Sequence, residues 1–484
     1  MKIGFRTDSS KAIGAGHLKR CLKLAEDLKY KTKDIIFITK NLKGNFNKLI
    51  NEKKFKLVLI KNNKSTSDLN ETKKVCKKLK INFLIIDNYT IGINWEKKIR
   101  SSVEKLIVID DFTKKKHYCD LIFNNLKNKN SKKTKNFTGL EYVIVPNNIY
   151  KKNVIVKKNS NITVGTFFGT NDSKNCSEKF LRIFSKKEFK NFKFIAVLGN
   201  NNSKKNEIEQ TYNKKKNINI EKQFIDMKNF LDKIDVLITS GGVTSYEALC
   251  RNIQCINVPI NYYQKANSFF QRKKKISKIL NYNKIQNKKG LKVLVNLLRN
   301  YKNKNNYDEN KFFIDTNASQ RISEILIPSS FNKVSIKRAK NFTDCVDLFK
   351  LCNEKSVIRN SFNQKKIKFN DHAKWFRRKI KSSKTYIYIF RIKNLFIGQV
   401  RFDFLKKDLG LIDYSLEKNF RGRGWGKLML AKAINVITKN KKIDTLKAEV
   451  KKTNLQSIKV FDSLFFSKDN NKKKIIFSKR IKIN

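Results

Sequence analysis

Residues 13–21 read IGAGHLKRC, and a histidine set directly after two closely spaced glycines is the first place where residue type and spacing could do chemistry. Gly14 and Gly16 permit a tight turn. Beyond His17, the apolar residues Leu18, Cys21, Leu22, Ala25 and Leu28 recur at helical spacing, which places His17 at or near a helix start. Free backbone N–H groups and the helix dipole favour an anion there. The same field disfavours an imidazolium, so His17 is expected to be neutral near pH 7, as a general base must be. Two readings fit this spacing: a base beside a phosphate-bearing substrate, or a histidine that begins a helix in a generic α/β protein. A second candidate lies at residues 420–437, FRGRGWGKLMLAKAINVI. Its run Arg421, Gly422, Arg423, Gly424, Trp425 and Gly426 sits between a strand-like segment and an amphipathic helix. Small residues there would let the chain close on phosphates at a helix start, the alternative being a plain basic turn.

The elements that must position these residues are legible as apolar runs. DIIFIT, FKLVLI, NFLIIDNY, KLIVIDDF and DLIFNN read as strands buried on both faces, with helical spacing between several of them. A second series begins at NITVGTFFG and continues through FKFIAVLG, INIEKQFI, DVLITSGG and QCINVPI. The reading is two Rossmann-like halves around a cleft, residues 1–150 and 151–325, separated by a polar stretch at about 147–160. LIPSSFNKV breaks the pattern, giving a linker at 326–333. After it, TYIYIFRIKNLFIGQVRFDF reads as a hairpin around Lys393 and Asn394, followed by LGLIDYSL and the glycine-rich turn. That predicts a separate α+β domain over residues 334–484.

Composition narrows the function classes. The chain has 484 residues, enough for two or three units with real cores. Its 109 Lys and Arg against 40 Asp and Glu give a formal charge of +69. The lysines are spread through every segment among Asn and Ile, with no basic stripe interleaved with aromatics, so a nucleic-acid partner is not expected. Lys, Asn and Ile share A/T-rich codons, which accounts for the excess. The eight cysteines, Cys21, Cys76, Cys119, Cys176, Cys250, Cys255, Cys345 and Cys352, contain no C-x-x-C and read as reduced thiols. No eighteen-residue apolar run and no leader pattern occur, so a cytoplasmic protein without membrane contact is expected. The oligomeric state is left open.

The N-terminal stretch MKIGFRTDSSKAIGAGHLKRCLKLAEDLK resembles the nucleotide-sugar hydrolases of pseudaminic acid biosynthesis, whose R-x-D-x-S…G-x-G-H-x-x-R pattern appears as Arg6, Asp8, Ser10, Gly14, Gly16, His17 and Arg20. Further matches follow in order. They are IIDNY with Asp87 and Tyr89, VIDDF…HYCDLIFN with Asp110, Asp111, Cys119 and Asp120, and DVLITSGGVTSYEAL with Glu247. The similarity covers about residues 1–325 and implies a GT-B-like fold with the nucleotide held mainly by the second half. It implies hydrolysis of UDP-2,4-diacetamido-2,4,6-trideoxy-β-L-altropyranose by attack of water on the anomeric carbon, with inversion and loss of UDP. His17 would take the water's proton and Tyr89 would help hold the sugar or the water. Gly14, Gly16, Arg20, Gly169, Gly241, Gly242, Glu247, Gln264 and Asn267 would bind the UDP-sugar. Of these, the Gly241 turn would present amides to the diphosphate and Glu247 would reach the ribose hydroxyls. No metal is required. The family's G-G-T-D appears here as Gly169, Thr170, Asn171 and Asp172, with Thr170 in place of a glycine.

The second candidate resembles the R-x-x-G-x-G/A loop of the GCN5-related N-acetyltransferases (GNAT), and KKTNLQSIKVFDSLFF matches the later segment of that family at Asn454 and Ser457. Acetyl-CoA is the implied cosubstrate, with Arg421, Gly422, Arg423, Gly424, Trp425, Gly426 and Asn454 at its site. VIRNSF…HAKWF and IGQVRFD…IDYSL resemble the 4-amino-sugar acetyltransferase of the same pathway, which implies that the fusion joins neighbouring steps. Phe461 stands where many relatives carry a tyrosine acid, and His372 and Tyr414 are other candidates for proton transfer. Two further functions remain open: a GT-B-type glycosyltransferase using a UDP-sugar, and a basic nucleic-acid binder.

Overall fold

A computed structural model describes residues 1–60, 65–111, 115–125, 134–146, 162–170, 172–199, 201–221, 226–300, 312–406, 408–471 and 474–481. The expected boundary between the first two halves, with its polar stretch, and Asn171 lie outside the described residues. The chain divides into two compact units, Met1–Ser323 and Glu324–Asn484.

The first unit holds two parallel sheets. One comprises β1 (Lys2–Thr7), β2 (Asp34–Lys40), β3 (Lys56–Ile60), β4 (Phe83–Asp87), β5 (Lys105–Ile109), β6 (Leu121–Asn124) and β7 (Lys135–Thr138), in the order β3-β2-β1-β4-β5-β6-β7. The other comprises β8 (Thr163–Phe167), β9 (Lys193–Val197), β10 (Ile218–Glu221), β11 (Val236–Thr239), β12 (Gln254–Asn257) and β13 (Ser277–Ile279), in the order β10-β9-β8-β11-β12-β13. In each, the strand order reverses beside the first strand, at β1/β4 and at β8/β11. Such a reversal splits the crossover helices to opposite faces and opens a crevice beyond the strands' carboxyl ends. Apolar runs buried on both faces make this possible, as in the fully buried FLIID of β4. In the second sheet the core is aromatic, with Phe184 and Phe194 stacked 3.8 Å apart. Burying each such ring contributes about 1.5–3 kcal/mol.

The second unit is built on one sheet of β14 (Ser335–Arg338), β15 (Thr385–Ile392), β16 (Leu395–Phe404), β17 (Leu409–Leu416), β18 (Thr445–Lys451), β19 (Ser467–Asn470) and β20 (Lys474–Arg480), in the order β14-β15-β16-β17-β18-β20-β19. Lys393, at φ +51°, makes the hairpin turn between β15 and β16. The ladder is antiparallel except between β17 and β18, which run parallel. Their pairing runs only from Leu409/Thr445 to Ile412/Ala448, although β17 continues to Leu416 and β18 to Lys451. The two strands therefore part in mid-sheet, and the helix Trp425–Asn440 packs across the centre of the sheet through Met429 and Leu430.

Candidate functional site

Each residue of the first site lies at or beyond the carboxyl end of a strand. The chain leaves β1, turns at Gly14 with φ +83°, and enters the helix Gly16–Leu28. Ser10 ties the turn: its Oγ accepts from the N–H groups of Ala12 and Ile13, and its carbonyl accepts from Gly14 at 2.8 Å. Ala15 occupies the N-cap position and offers no side-chain cap, so a ligand can compete for the first helical amides. His17 is the second residue of that helix, and its Nδ1 lies 2.6 Å from Oδ1 of Asp87 at the end of β4. Nε2 has no hydrogen-bond partner among the described residues, so the pairing with Asp87 fixes the ring and leaves one nitrogen for a substrate proton.

Arg20, one turn along, faces the same carboxylate. Its Nε donates to Asp87 Oδ2, Nη2 donates to Asp87 Oδ1 at 2.6 Å, and Nη1 donates to Asp111 at 2.6 Å. The guanidinium thus bridges two carboxylates. Burial by itself would raise the Asp87 pKa, but Arg20 and then His17 hold it well below the usual carboxylate range. Tyr89 donates from its hydroxyl to Asp111 at 2.9 Å and lies edge-on against His17 with ring centroids 4.0 Å apart. Burial, then the Asp111 charge, raises its pKa, which keeps the phenol a donor.

Two buried clusters support this arrangement. Arg6, at 0% exposure, pairs with Asp8 and Asp68, while Asp8 also accepts from Lys40 N–H and Asn88 Nδ2; the ends of β1, β2 and β4 are thereby tied together. Beside Asp111, His117 bridges Glu96 at 2.6 Å and Asp110 at 3.0 Å. Burial opposes a charge on that ring, yet hydrogen bonds to Asp110 and Glu96 push its pKa up to about 9.

In the second half, the turn after β11 needs glycine at 241. Its φ is +82°, and a Cβ there would collide with Ser268 Oγ; at Gly242 nothing lies within 4 Å of a Cβ position. Asn267 holds the turn by donating to the Gly241 carbonyl at 2.6 Å, and its Oδ1 accepts from Tyr246 and from Asn125 of the first half. Asn267 is therefore a brace of the turn rather than a free donor. Gln264 likewise directs its Oε1 to the Ile260 N–H at 3.0 Å. Glu247, on the helix Val243–Cys250, is half-buried and has no hydrogen-bond partner among the described residues. Burial raises its pKa to about 7, and Lys19 from the first half opposes the rise. Gly169 takes φ +93° with nothing within 4 Å of a Cβ position, and the loop carbonyls of Gly169 and Thr170 crowd Gly199.

The second unit uses its glycine-rich turn differently. Gly422 and Gly424 adopt φ +75° and +73°, and Gly424 caps the helix Trp425–Asn440 without any side-chain bond. Arg421 turns away from the loop, donating to the Leu416 carbonyl, Glu354 and Ser356. Trp425 is a core residue, stacked on Phe420 at 5.2 Å. Arg423 lies over the Phe420 and Trp425 rings. The loop consequently offers backbone N–H groups to a ligand. Gly426 lets the helix Leu455–Asp462 come close, since a Cβ would already touch Val460 at 3.4 Å and Tyr414 at 3.5 Å. Asn454 is the N-cap of the helix Leu455–Asp462, accepting from Ser457 N–H at 3.3 Å. Phe461 is buried against Phe477, and the Tyr414 hydroxyl reaches Ser457 Oγ at 3.2 Å. His372 faces the Cys345 carbonyl at 3.0 Å, and burial lowers its pKa to about 4, as for a structural histidine.

The sequence singled out Asp87 and Asp111 as motif residues without giving them roles, and it did not mark Asn125, Tyr246 or Tyr263. Asp87 ends an apolar strand as a lone carboxylate, a signal that was available. Asn125 and Tyr246 carry no such signal, because their partners lie 121 and 142 residues from Asn125. Among the described residues no group of three or more His, Cys, Asp or Glu could hold a metal ion, and no helix is long and apolar enough to cross a membrane.

Comparisons with known proteins match residues 163–324 to the glycosyltransferase family 28 C-terminal domain and residues 338–466 to the acetyltransferase (GNAT) domain. An uncharacterized protein of Methanocaldococcus jannaschii is 28% identical over 97% of both chains. The UDP-2,4-diacetamido-2,4,6-trideoxy-beta-L-altropyranose hydrolase of Campylobacter jejuni is 35% identical over 124 residues, 26% of this chain and 41% of the hydrolase. Among solved structures, Acinetobacter baumannii MurG gives a TM-score of 0.49 at 14% identity, covering 67% of this chain and 99% of MurG. The first unit thus holds two Rossmann-like parallel sheets, the second of them within the segment that matches the glycosyltransferase family 28 C-terminal domain, and the second unit contains the segment that matches the acetyltransferase (GNAT) domain.

Proposed function

We propose that this chain is a bifunctional amino-sugar enzyme: an inverting UDP-sugar hydrolase in the first unit and an acetyl-CoA-dependent N-acetyltransferase in the second. On this reading the halves are residues 1–150 and 151–325, the linker is 326–333 and the acetyltransferase domain is 334–484. The substrate of the first is UDP-2,4-diacetamido-2,4,6-trideoxy-β-L-altropyranose, as named for the Campylobacter jejuni relative, and the second acetylates the 4-amine of the preceding UDP-amino sugar. The observation that carries the reading is the pairing of His17 Nδ1 with Asp87 at 2.6 Å, with Nε2 left unpartnered among the described residues.

On this reading the hydrolytic step uses that pairing. The Gly241 turn and the amides that begin the helix Val243–Cys250 receive the diphosphate, and Glu247 accepts from ribose hydroxyls. His17 takes the proton of the attacking water through Nε2, while Asp87 holds the ring and balances the imidazolium that forms. The bond from the anomeric carbon to the phosphate oxygen breaks as the new C–O bond forms, and UDP departs with the electron pair. Tyr89 and Arg20 keep Asp111 and Asp87 in place. In the second unit the amides of Gly422–Gly426 receive the acetyl-CoA pyrophosphate. On this reading the protein acts in the cytoplasm, where both nucleotide sugar and acetyl-CoA are available.

The test is UDP release from that nucleotide sugar, comparing wild type with His17→Ala and identifying the sugar by mass spectrometry. Wild type is expected to yield UDP and free sugar, and the variant to lose activity by about a thousandfold or more while remaining folded. A folded wild type that binds UDP but transfers the sugar to an added alcohol or lipid acceptor, without free sugar, would instead establish a glycosyltransferase.

A further inference from the structure

Three aromatic rings run in sequence across the cleft of the first unit. His17 meets Tyr89 at 4.0 Å and an interplanar angle of 85°, and Tyr89 meets Tyr263 at 4.9 Å and 31°. Tyr89 follows β4 of the first sheet, whereas Tyr263 is the second residue of the helix Tyr262–Lys273, which follows β12 of the second sheet. The outer contact therefore joins the two halves. Exposure falls inward along the row, from 43% at Tyr263, through a half-buried Tyr89, to 8% at His17.

Hydrolysis and glycosyl transfer use the same attack at the anomeric carbon. In either case an oxygen forms the new bond, the bond to the phosphate oxygen breaks, the oxygen's proton passes to His17 Nε2, and UDP leaves with the electron pair. Nothing in that balance selects water over an alcohol, so the choice rests on the room beside the base. Tyr89 is held by the hydrogen bond from its hydroxyl to Asp111, and its ring packs against that of Tyr263 at 4.9 Å. A ring so exposed gains little from its own burial, and through its contact with Tyr89 it stands at the solvent end of the row that leads to His17.

Resting on the hydrolase reading above, we propose that Tyr263 is a specificity-determining residue: its ring closes the acceptor side of the His17 site and reserves that site for water. It supplies no proton and touches no phosphate. The hydroxyl is not needed for exclusion by bulk, so Tyr263→Phe keeps the wild-type behaviour and Tyr263→Ala does not.

Two measurements on the full chain test this. The first uses no substrate: carbethoxylation of His17 by diethyl pyrocarbonate, followed by peptide mass spectrometry, with the buried His117 and His372 as internal controls. Tyr263→Ala is expected to label His17 about tenfold faster, with the control residues unchanged; an equal rate overturns the proposal. The second supplies the UDP-sugar in molar methanol and reads the ratio of methyl glycoside to free sugar. That ratio is expected to rise about tenfold or more in Tyr263→Ala and to stay at the wild-type value in Tyr263→Phe. An unchanged ratio in Tyr263→Ala overturns the proposal. A wild type that releases no UDP defeats the hydrolase reading, and the labelling rates then show separately whether the ring shields His17.

Discussion

The turns at Gly14–His17 and Gly422–Gly426 solve the same local problem and put it to different uses. In each, a glycine at positive φ, +83° or +73°, leads into a helix whose N-cap has no side-chain bond. At the first, side chains face inward and interlock: His17, Arg20, Asp87 and Asp111 form one network. At the second, Arg421 and Trp425 are anchored away from the loop, and backbone N–H groups remain. A glycine turn therefore identifies where an anion could approach, while the partners of the flanking side chains decide whether the turn serves a base or an amide cradle.

The contrast is tested most severely at Asp87. Asp87→Asn keeps the shape but can pair the wrong tautomer of His17 and leaves Arg20 with one charged partner fewer. Loss of the orienting carboxylate from a histidine base lowers kcat by about 10³- to 10⁴-fold in comparable arrangements. UDP release should fall by that order with UDP affinity nearly unchanged, and acetyl transfer should be unaffected. Residual hydrolysis within tenfold of wild type would remove Asp87, and with it the side-chain account of the first site.

The two units should also respond to pH in opposite senses, through His117 and His372. Both rings are buried, which by itself lowers a histidine pKa. His117 faces Glu96 and Asp110, and its pKa is raised from 6.5 to about 9; His372 faces a backbone carbonyl and falls to about 4. For His117 the folded state holds the proton more tightly, so its stabilisation is complete below pH 6.5 and is lost as pH rises through 9. For His372 the unfolded state binds the proton more readily, so stability is lost as pH falls from 6.5 towards 4. Each shift corresponds to about 3 kcal/mol. Hydrogen exchange on the full chain should therefore show the first unit loosening from pH 7 to 9.5 and the second from pH 6 to 4. In His117→Gln the alkaline response should flatten.

The next effect belongs to the backbone. Gly424→Val places a branched residue at φ +73°, a strain of about 1–2 kcal/mol, and is expected to weaken acetyl-CoA binding about tenfold in calorimetry. Arg421→Lys, which loses the fork that joins the Leu416 carbonyl to Glu354, should change it only about two- to threefold. If Arg421→Lys proves the more damaging, the loop binds through its side chain and the contrast between the two turns collapses.

Part of this arrangement is legible in the sequence alone. Strand ends and glycine turns were legible because apolar runs such as FLIID stop at a carboxylate, and because glycine spacing is local. The pairing of His17 with Asp87 spans 70 residues and emerges only when the first sheet orders its strands. The loop residues Arg421 and Trp425 read as ligand contacts for a similar reason, since their anchors Glu354 and Phe331 come from other segments. β18 offers no such apolar run: Leu446, Ala448 and Val450 alternate inward, while lysines and Glu449 on the other face give TLKAEVK the composition of a solvated stretch. Lysine-rich solvent faces dilute the apolar signal without disturbing the period that carries it.

The smallest expected effect concerns Thr170, which stands where the resemblance implies a glycine. Its backbone does not adopt positive φ; Gly169, at +93°, supplies the left-handed turn by itself. The loop is further fixed by the Asn201 N–H, which donates to the Thr170 carbonyl at 3.0 Å, and by Gly199 packed beneath it. Restoring glycine therefore removes no strain and adds conformational freedom to the unfolded chain. Thr170→Gly should lower stability by about 0.5–1 kcal/mol and change UDP affinity by less than about threefold. A gain of tenfold or more in UDP binding would mean that the threonine side chain itself crowds the phosphate, and the second half would then join the first as a site governed by side chains.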